Sequence, residues 1–206
     1  VRALITGTHT QQFTPDLLLR AKVFYVTDSS VLQQLSNSGV SRAAPSVESN
    51  LLANQRLAYG NTYLLGQYLL PLQSGGADTF QRLPEIGYSL PHLPIFNSPI
   101  LLGADTNFVN FYREQGFTQN RIDILPGLST DVLNFGHIVG FTPQVKVREV
   151  YYTHGVQNSE SQHRETFWAG LDATSKLSRR FGTSEGNTLL HTMEPSVIYE
   201  YVPPTA

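Results

Sequence analysis

The chain has 206 residues, 14 Lys and Arg against 16 Asp and Glu for a net charge of -2, and no cysteine. That balance argues against a nucleic-acid binder, and the missing cysteine excludes disulfides, thiolate metal sites and Cys nucleophiles. Apolar residues at 40% and aromatics at 11% argue against disorder, and no apolar run approaches the ~20 residues of a transmembrane helix. The opening Val1-Arg2-Ala3-Leu4 has no signal-peptide character and reads as a mature or trimmed segment.

Period-two alternation, the strand signature, dominates the chain. A first strand begins near residue 2 and turns at Phe13-Thr14-Pro15. A second begins near 16 and lines up Leu17, Leu19, Ala21, Val23 and Tyr25 on one face. Ser29 to Ser38, between Asp28 and Gly39, is the one stretch with a helical signal, and it lies in the long connection Asp28 to Ala44. Strands follow from near 46 (Val47, Leu51, Ala53, Leu57), 61, 80 and 99. From 119, Ile122, Ile124, Pro126, Leu128 and Val132 oppose Arg121, Asp123, Gly127, Ser129 and Asp131. From 136, Val139 to Tyr151 set apolar residues such as Val145 and Val147 against Lys146 and Arg148. From 164, Phe167, Ala169, Leu171, Ala173 and Leu177 oppose Gly170, Asp172, Thr174 and Lys176. The last, from 187, sets His191, Met193, Val197, Tyr199 and Tyr201 against Thr192, Glu194, Ser196 and Glu200.

About ten strands result, several longer than the ~9–11 residues that cross a bilayer. Links after odd-numbered strands are short (Ala58-Tyr59-Gly60, Asn134-Phe135-Gly136, Gly182 to Gly186). Those after even-numbered strands are mostly longer (Gln73 to Asp78, Gly155 to His163), with Glu114 to Phe117 the exception. This is an all-β, antiparallel up-and-down meander with the loop asymmetry of outer-membrane barrels. A soluble β-sandwich would alternate with the same period. Charges deep within long strands, aromatics toward strand ends (Tyr151/Tyr152, Phe111/Tyr112, Phe167/Trp168, Tyr199/Tyr201) and excess strand length favour the barrel. Residues 1–206 then form a single partial barrel region. Asp123, Lys146, Arg148, Asp172, Lys176 and Glu194 would face a wet lumen, and Leu128, Val145, Val147, Leu171, Val197 and Tyr199 would face lipid.

A proline pattern recurs in Ala44-Pro45-Ser46-Val47, Leu83-Pro84-Glu85-Ile86, Leu125-Pro126-Gly127-Leu128 and Glu194-Pro195-Ser196-Val197. Proline cannot donate to a ladder, so Pro84, Pro126 and Pro195 read as bulges or bends, or else as first residues of strands. No nucleophile elbow, P-loop, dinucleotide fingerprint or zinc-protease motif is present. His154 and His163 share one connection but read as solvated, and His191 reads as interfacial. No catalytic residue, metal or cofactor is expected.

Three blocks resemble the barrel of the LptD (organic-solvent-tolerance) family. They are Arg82-Leu83-Pro84-Glu85-Ile86, Arg121-Ile122-Asp123-Ile124-Leu125-Pro126 and, most specific, His191-Thr192-Met193-Glu194-Pro195-Ser196-Val197-Ile198-Tyr199-Glu200-Tyr201-Val202-Pro203. Phe24-Tyr25-Val26-Thr27-Asp28 is similar to an earlier strand-to-loop junction of that family. The resemblance implies a middle section of a large barrel in the Gram-negative outer membrane, whose whole delivers lipopolysaccharide to the outer leaflet as a conduit, not an enzyme. It implies partners too: lipopolysaccharide, an LptE-type lipoprotein plug in the lumen, and a periplasmic bridge protein that meets an N-terminal domain not visible here. The family's gate strands and cysteines are not visible either. The competing expectations are a soluble all-β binding module and a closed ten-stranded outer-membrane hydrolase.

Overall fold

A computed structural model describes residues 2–28, 30–31, 45–72, 79–114, 118–130, 132–136, 138–154, 160–182 and 188–204. Its strands are β1 (Leu4–Thr14), β2 (Leu17–Val26), β3 (Ser46–Leu57), β4 (Gly60–Pro71), β5 (Gln81–Pro94), β6 (Ile100–Tyr112) and β7 (Gln119–Thr130). Then come β8 (Leu133–Phe135), β9 (Val139–Tyr152), β10 (Gln162–Ser175), β11 (Leu177–Gly182), β12 (Thr188–Met193) and β13 (Ser196–Tyr201). Ten of them form one antiparallel meander in the order β1-β2-β3-β4-β5-β6-β7-β9-β10-β13, with β8 paired to β9. Strands β11 and β12 form a separate two-stranded ribbon. The helical segment expected at Ser29 to Ser38 lies outside the described residues except for Ser30 and Val31, as does most of the long connections.

Two of the expected long strands break. The strand expected from 164 is interrupted at Lys176, and the one expected from 187 at Glu194 and Pro195. The two breaks face each other: Thr174 pairs with Ser196 on one side and Leu177 with Met193 on the other, while the Ser175 N–H donates to the Pro195 carbonyl at 3.0 Å. Proline brings no N–H to the ladder, so the break falls where one rung is missing from the start.

The short turns have local causes. The Thr14 hydroxyl accepts from the amides of Asp16 and Leu17, at 3.3 and 3.0 Å, and closes the first hairpin. Gly60 ends the Ala58–Tyr59 turn at φ 143°, where an added Cβ would stand 2.3 Å from the Ser89 carbonyl oxygen, so only glycine fits. The chain turns after β5 through Phe96 and Asn97, both left-handed.

Chain contacts divide the protein into two units, Val1–Leu90 with Asp105–Ile124 and Val150–Arg164, and Pro91–Ala104 with Leu125–Glu149 and Glu165–Ala206. In the first, β1 to β4 pair through Lys22 with Thr8 and Asn50, and Asn50 with Gln67, with one irregularity in β1 between Gln12 and Thr14. Its small apolar core joins Val26 and Val47 with Phe24, Leu70 and Leu72. In the second, β10 and β13 pair from Ala169–Tyr201 to Thr174–Ser196. Among the described residues the buried apolar side chains are only Val26, Val31, Val47, Val109 and Val150.

Candidate functional site

Strand register sorts side chains onto two faces, because directly opposed residues share a face. In the first unit one face runs His9–Ala21–Leu51–Gly66 and Gln11–Leu19–Ala53–Leu64–Ile86 across five strands. In the second it runs Ala169–Tyr201, Leu171–Tyr199 and Ala173–Val197. This face is mostly apolar and bare. Leu128, Val145, Val147, Leu171, Val197 and Tyr199 are all exposed, Val197 and Tyr199 by 66% and 63%.

The opposite face carries the polar side chains, joined across strands. In the first unit the Ser89 hydroxyl donates to Asp105 at 2.6 Å, and Arg121 donates to Asn107 at 3.1 Å with its guanidinium 5.5 Å over the Phe111 ring. Glu85, 7% exposed, accepts from the Tyr63 hydroxyl at 2.7 Å and pairs with Arg82 at 3.3 Å. Tyr63 reaches it because its ring lies over Gly87, the residue opposite, where a Cβ would meet the ring at 2.1 Å. In the second unit Lys146 lies against Gly127, and Gln144 lies over Gly170, which itself opposes Glu200.

The expected lumen residues distribute as follows. Asp123 is 4% exposed within β7, in the first unit. Asp172 stands opposite Ile198, and one of its carboxylate oxygens is buried with no hydrogen-bond partner. Lys176 and Glu194, each at a strand break, come together in an exposed ion pair at 2.6 Å beside a depression of about 460 Å³ that Asn134, Thr174 and Ser196 also line. Lys146 borders a second depression of about 170 Å³ with Gln144, Trp168, Gly170 and Glu200. Arg148 lies in β9.

The proline positions differ from one another. At Pro84 the β4–β5 register shifts between Leu65–Glu85 and Gln67–Arg82, so Leu83 and Pro84 both stand against Gly66. The Leu83–Pro84 peptide is cis. Pro195 lies in the break between β12 and β13, and Pro126 lies within an unbroken β7.

Sequence reasoning missed two features. Trp168 lines the polar depression with Gly170, not the aromatic belt with Phe167; strict parity from Leu171 puts Phe167 and Trp168 on opposite faces. The Tyr63–Glu85 bond carried no motif, and only a tyrosine opposite a glycine could have signalled it. Among the described residues no group of three His, Asp or Glu could hold a metal ion. Outside the strands, Asp28 accepts from the Ser30 amide at 2.9 Å and meets Arg2 at 3.4 Å, which together hold its carboxyl below the usual range.

The family described as LPS transport system D, LptD, matches this chain over residues 1–206. A search of curated proteins found no match. The chain therefore belongs to the LptD family, whose members work in lipopolysaccharide transport and outer-membrane assembly in Gram-negative bacteria and are not enzymes.

Proposed function

We propose that this LptD-family chain is wall of the translocon that inserts lipopolysaccharide into the outer leaflet. Its bare face meets hydrocarbon and its polar face lines the hydrated path. The observation that carries this reading is the contrast between the two faces among the described residues. Val197, Tyr199 and Leu171 are exposed on one side, while the Tyr63–Glu85, Ser89–Asp105 and Arg121–Asn107 bonds lie on the other. A sheet in water buries one apolar face, and the exposure of this one among the described residues supports a lipid-facing surface. The family's outer-membrane location supplies that lipid.

On this reading Asp123, Lys146, Arg148, Asp172, Lys176 and Glu194 look into the lumen. Leu128, Val145, Val147, Leu171, Val197 and Tyr199 look into the bilayer, and Pro84, Pro126 and Pro195 bend the wall. An LptE-type lipoprotein plug packs against the polar face, and the periplasmic bridge protein meets a domain outside these residues. The hydrolase alternative has no support, since the family is not enzymatic.

Arginine placed on each face tests the assignment. Val197→Arg and Leu171→Arg should each cost about 2–4 kcal/mol of folding into lipid if they lie near the midplane, while Ser196→Arg and Thr174→Arg should be mild. Ser196 and Val197 are adjacent in β13, so in that comparison depth is shared and only the face differs, whereas Leu171 and Thr174 lie three residues apart in β10. Equal penalties in the two sets, read from urea titrations in vesicles, would overturn the facing.

A further inference from the structure

The smaller depression on the polar face of the second unit has an unusual lining. Trp168 from β10, Gln144 and Lys146 from β9 and Glu200 from β13 surround about 170 Å³ over the bare backbone of Gly170. Gln144 can lie there because residue 170 has no side chain: a Cβ would stand 3.0 Å from its Cγ and 3.2 Å from its Nε2. Among the described residues, no hydrogen bond or ion pair ties up Gln144, Lys146, Trp168 or Glu200. Gln144, Lys146 and Trp168 are partly buried, and such polar groups ordinarily find partners, so three uncommitted ones converging beside the exposed Glu200 point to a ligand.

The chemistry of the lining selects it. Trp168 offers a flat apolar face and one N–H donor, Gln144 a donor and an acceptor, Lys146 donors and Glu200 acceptors. A sugar ring matches this set, with a C–H face for the indole and hydroxyls that both donate and accept around its rim. An acyl chain would leave every polar group unmet. A bare phosphate would meet the Glu200 carboxylate and make no use of the indole. The volume is below the ~300–1,000 Å³ of sites for drug-sized ligands, so it admits one ring and not an extended chain.

We propose that Trp168, Gln144, Lys146 and Glu200 form a seat for a single sugar ring, at which a glycan passing along this wall is held. This rests on the polar face being the hydrated path. The seat makes the wall a participant in handling the saccharide part of its cargo, with four weak contacts that hold a ring briefly and release it.

Trp168 is the one tryptophan in the sequence, so the difference in emission between the full protein and its Trp168→Phe variant reports on the seat. Core oligosaccharide freed of lipid by mild acid should change that emission saturably, and inorganic phosphate should not. Gln144→Ala and Glu200→Gln should each raise the half-saturating concentration about tenfold, the equivalent of one lost good hydrogen bond. No saturable change, an equal response to phosphate, unchanged affinity in both variants, or a response to a lipoprotein plug alone would overturn the seat. Lipids brominated in their acyl chains separate the two levels. Quenching of Trp168 by them would overturn the facing and the conduit reading with it. Protection from them, together with silence toward the oligosaccharide, would remove the seat and leave the conduit reading standing.

Discussion

Tyr63, Glu85 and Gly87 show how one residue's absence of side chain enables another's bond. The Tyr63 ring occupies the space over Gly87 and delivers its hydroxyl to a carboxylate that is nearly buried. A hydrogen bond to a buried charged group is costly to lose because the acceptor stays desolvated. Tyr63→Phe and Gly87→Ala should each destabilise the folded protein by about 1–3 kcal/mol. The double variant should cost clearly less than the sum, since both act on the same bond. Denaturant titration in detergent micelles measures all three, and strict additivity would show that Gly87 does not serve Tyr63. At Asp28 the prediction concerns pH. Its carboxyl is held below the ordinary 3.8 by the Ser30 amide and the Arg2 guanidinium. A depressed carboxylate contributes its clasp fully above the ordinary value and loses it as pH falls through the lowered one. The Ser30 amide resonance should therefore titrate with a midpoint below 3.8, and a midpoint at or above it would contradict the clasp. Little of this was legible in the sequence. Lys146 and Asp123 were placed on a polar face by parity alone, whereas the partners of Tyr63 depend on cross-strand register, which one strand's pattern does not contain.

At the scale of the element, ladders end where side chains take over from backbone. Pairing of β2 with β3 runs to Lys22–Asn50, and beyond it the Ser49 hydroxyl accepts from the Phe24 amide at 2.9 Å and donates to the Phe24 carbonyl at 3.1 Å. Beyond the register shift in β4–β5, the buried Gln81 amide does the same for Leu69, accepting from its N–H and donating to its carbonyl at 2.8 Å. Both replacements stand at the end of the strands that carries the longer connections. Backbone groups left open near lipid are expensive, and a polar side chain closes them where the strands part. Gln81→Leu should leave both Leu69 groups unpaired, costing about 1–3 kcal/mol and raising the hydrogen-exchange rate of the Leu69 amide by at least about tenfold. Unchanged exchange there would mean that water already serves the pair. The short turns have their own signature in each unit: exposed aromatics stand in or beside them, Phe13 and Tyr59 in the first and Phe96, Phe135 and Phe181 in the second. Strand existence and direction were legible because period two persists for a dozen residues at a stretch. The break at Lys176 was not, and that at Glu194–Pro195 was signalled only by its proline, since the alternation runs through both without a change of phase. A rung can be lost without any side chain changing face.

For the whole molecule, the decisive quantity is what covers the apolar face. A chain of 206 residues folding alone in water would need a continuous core, yet the buried apolar side chains among the described residues are five valines. Meanwhile Ile5, Val23, Leu51, Leu64, Ile86 and Val147 stand exposed along the sheet. In sequence this face was indistinguishable from the inner face of a sandwich, because alternation specifies that one side is apolar and not what it touches. Loop asymmetry and the proline-containing blocks carried the choice, and the exposure of that face among the described residues now gives it a physical basis. The same exposure predicts a solvent requirement. In detergent-free buffer the chain should aggregate, since apolar side chains such as Leu51 and Leu64 stand exposed on neighbouring strands, and contiguous exposed apolar surface drives association. Micelles or thin-bilayer vesicles should restore a strand-rich far-ultraviolet spectrum and a single species in sedimentation, because they supply to Leu51, Leu64 and Val147 the apolar contacts that the described residues do not provide. A dispersed, cooperatively unfolding monomer without amphiphile would require a cover for that face from within the protein itself, and the wall would then have to be redrawn as one layer of a soluble fold.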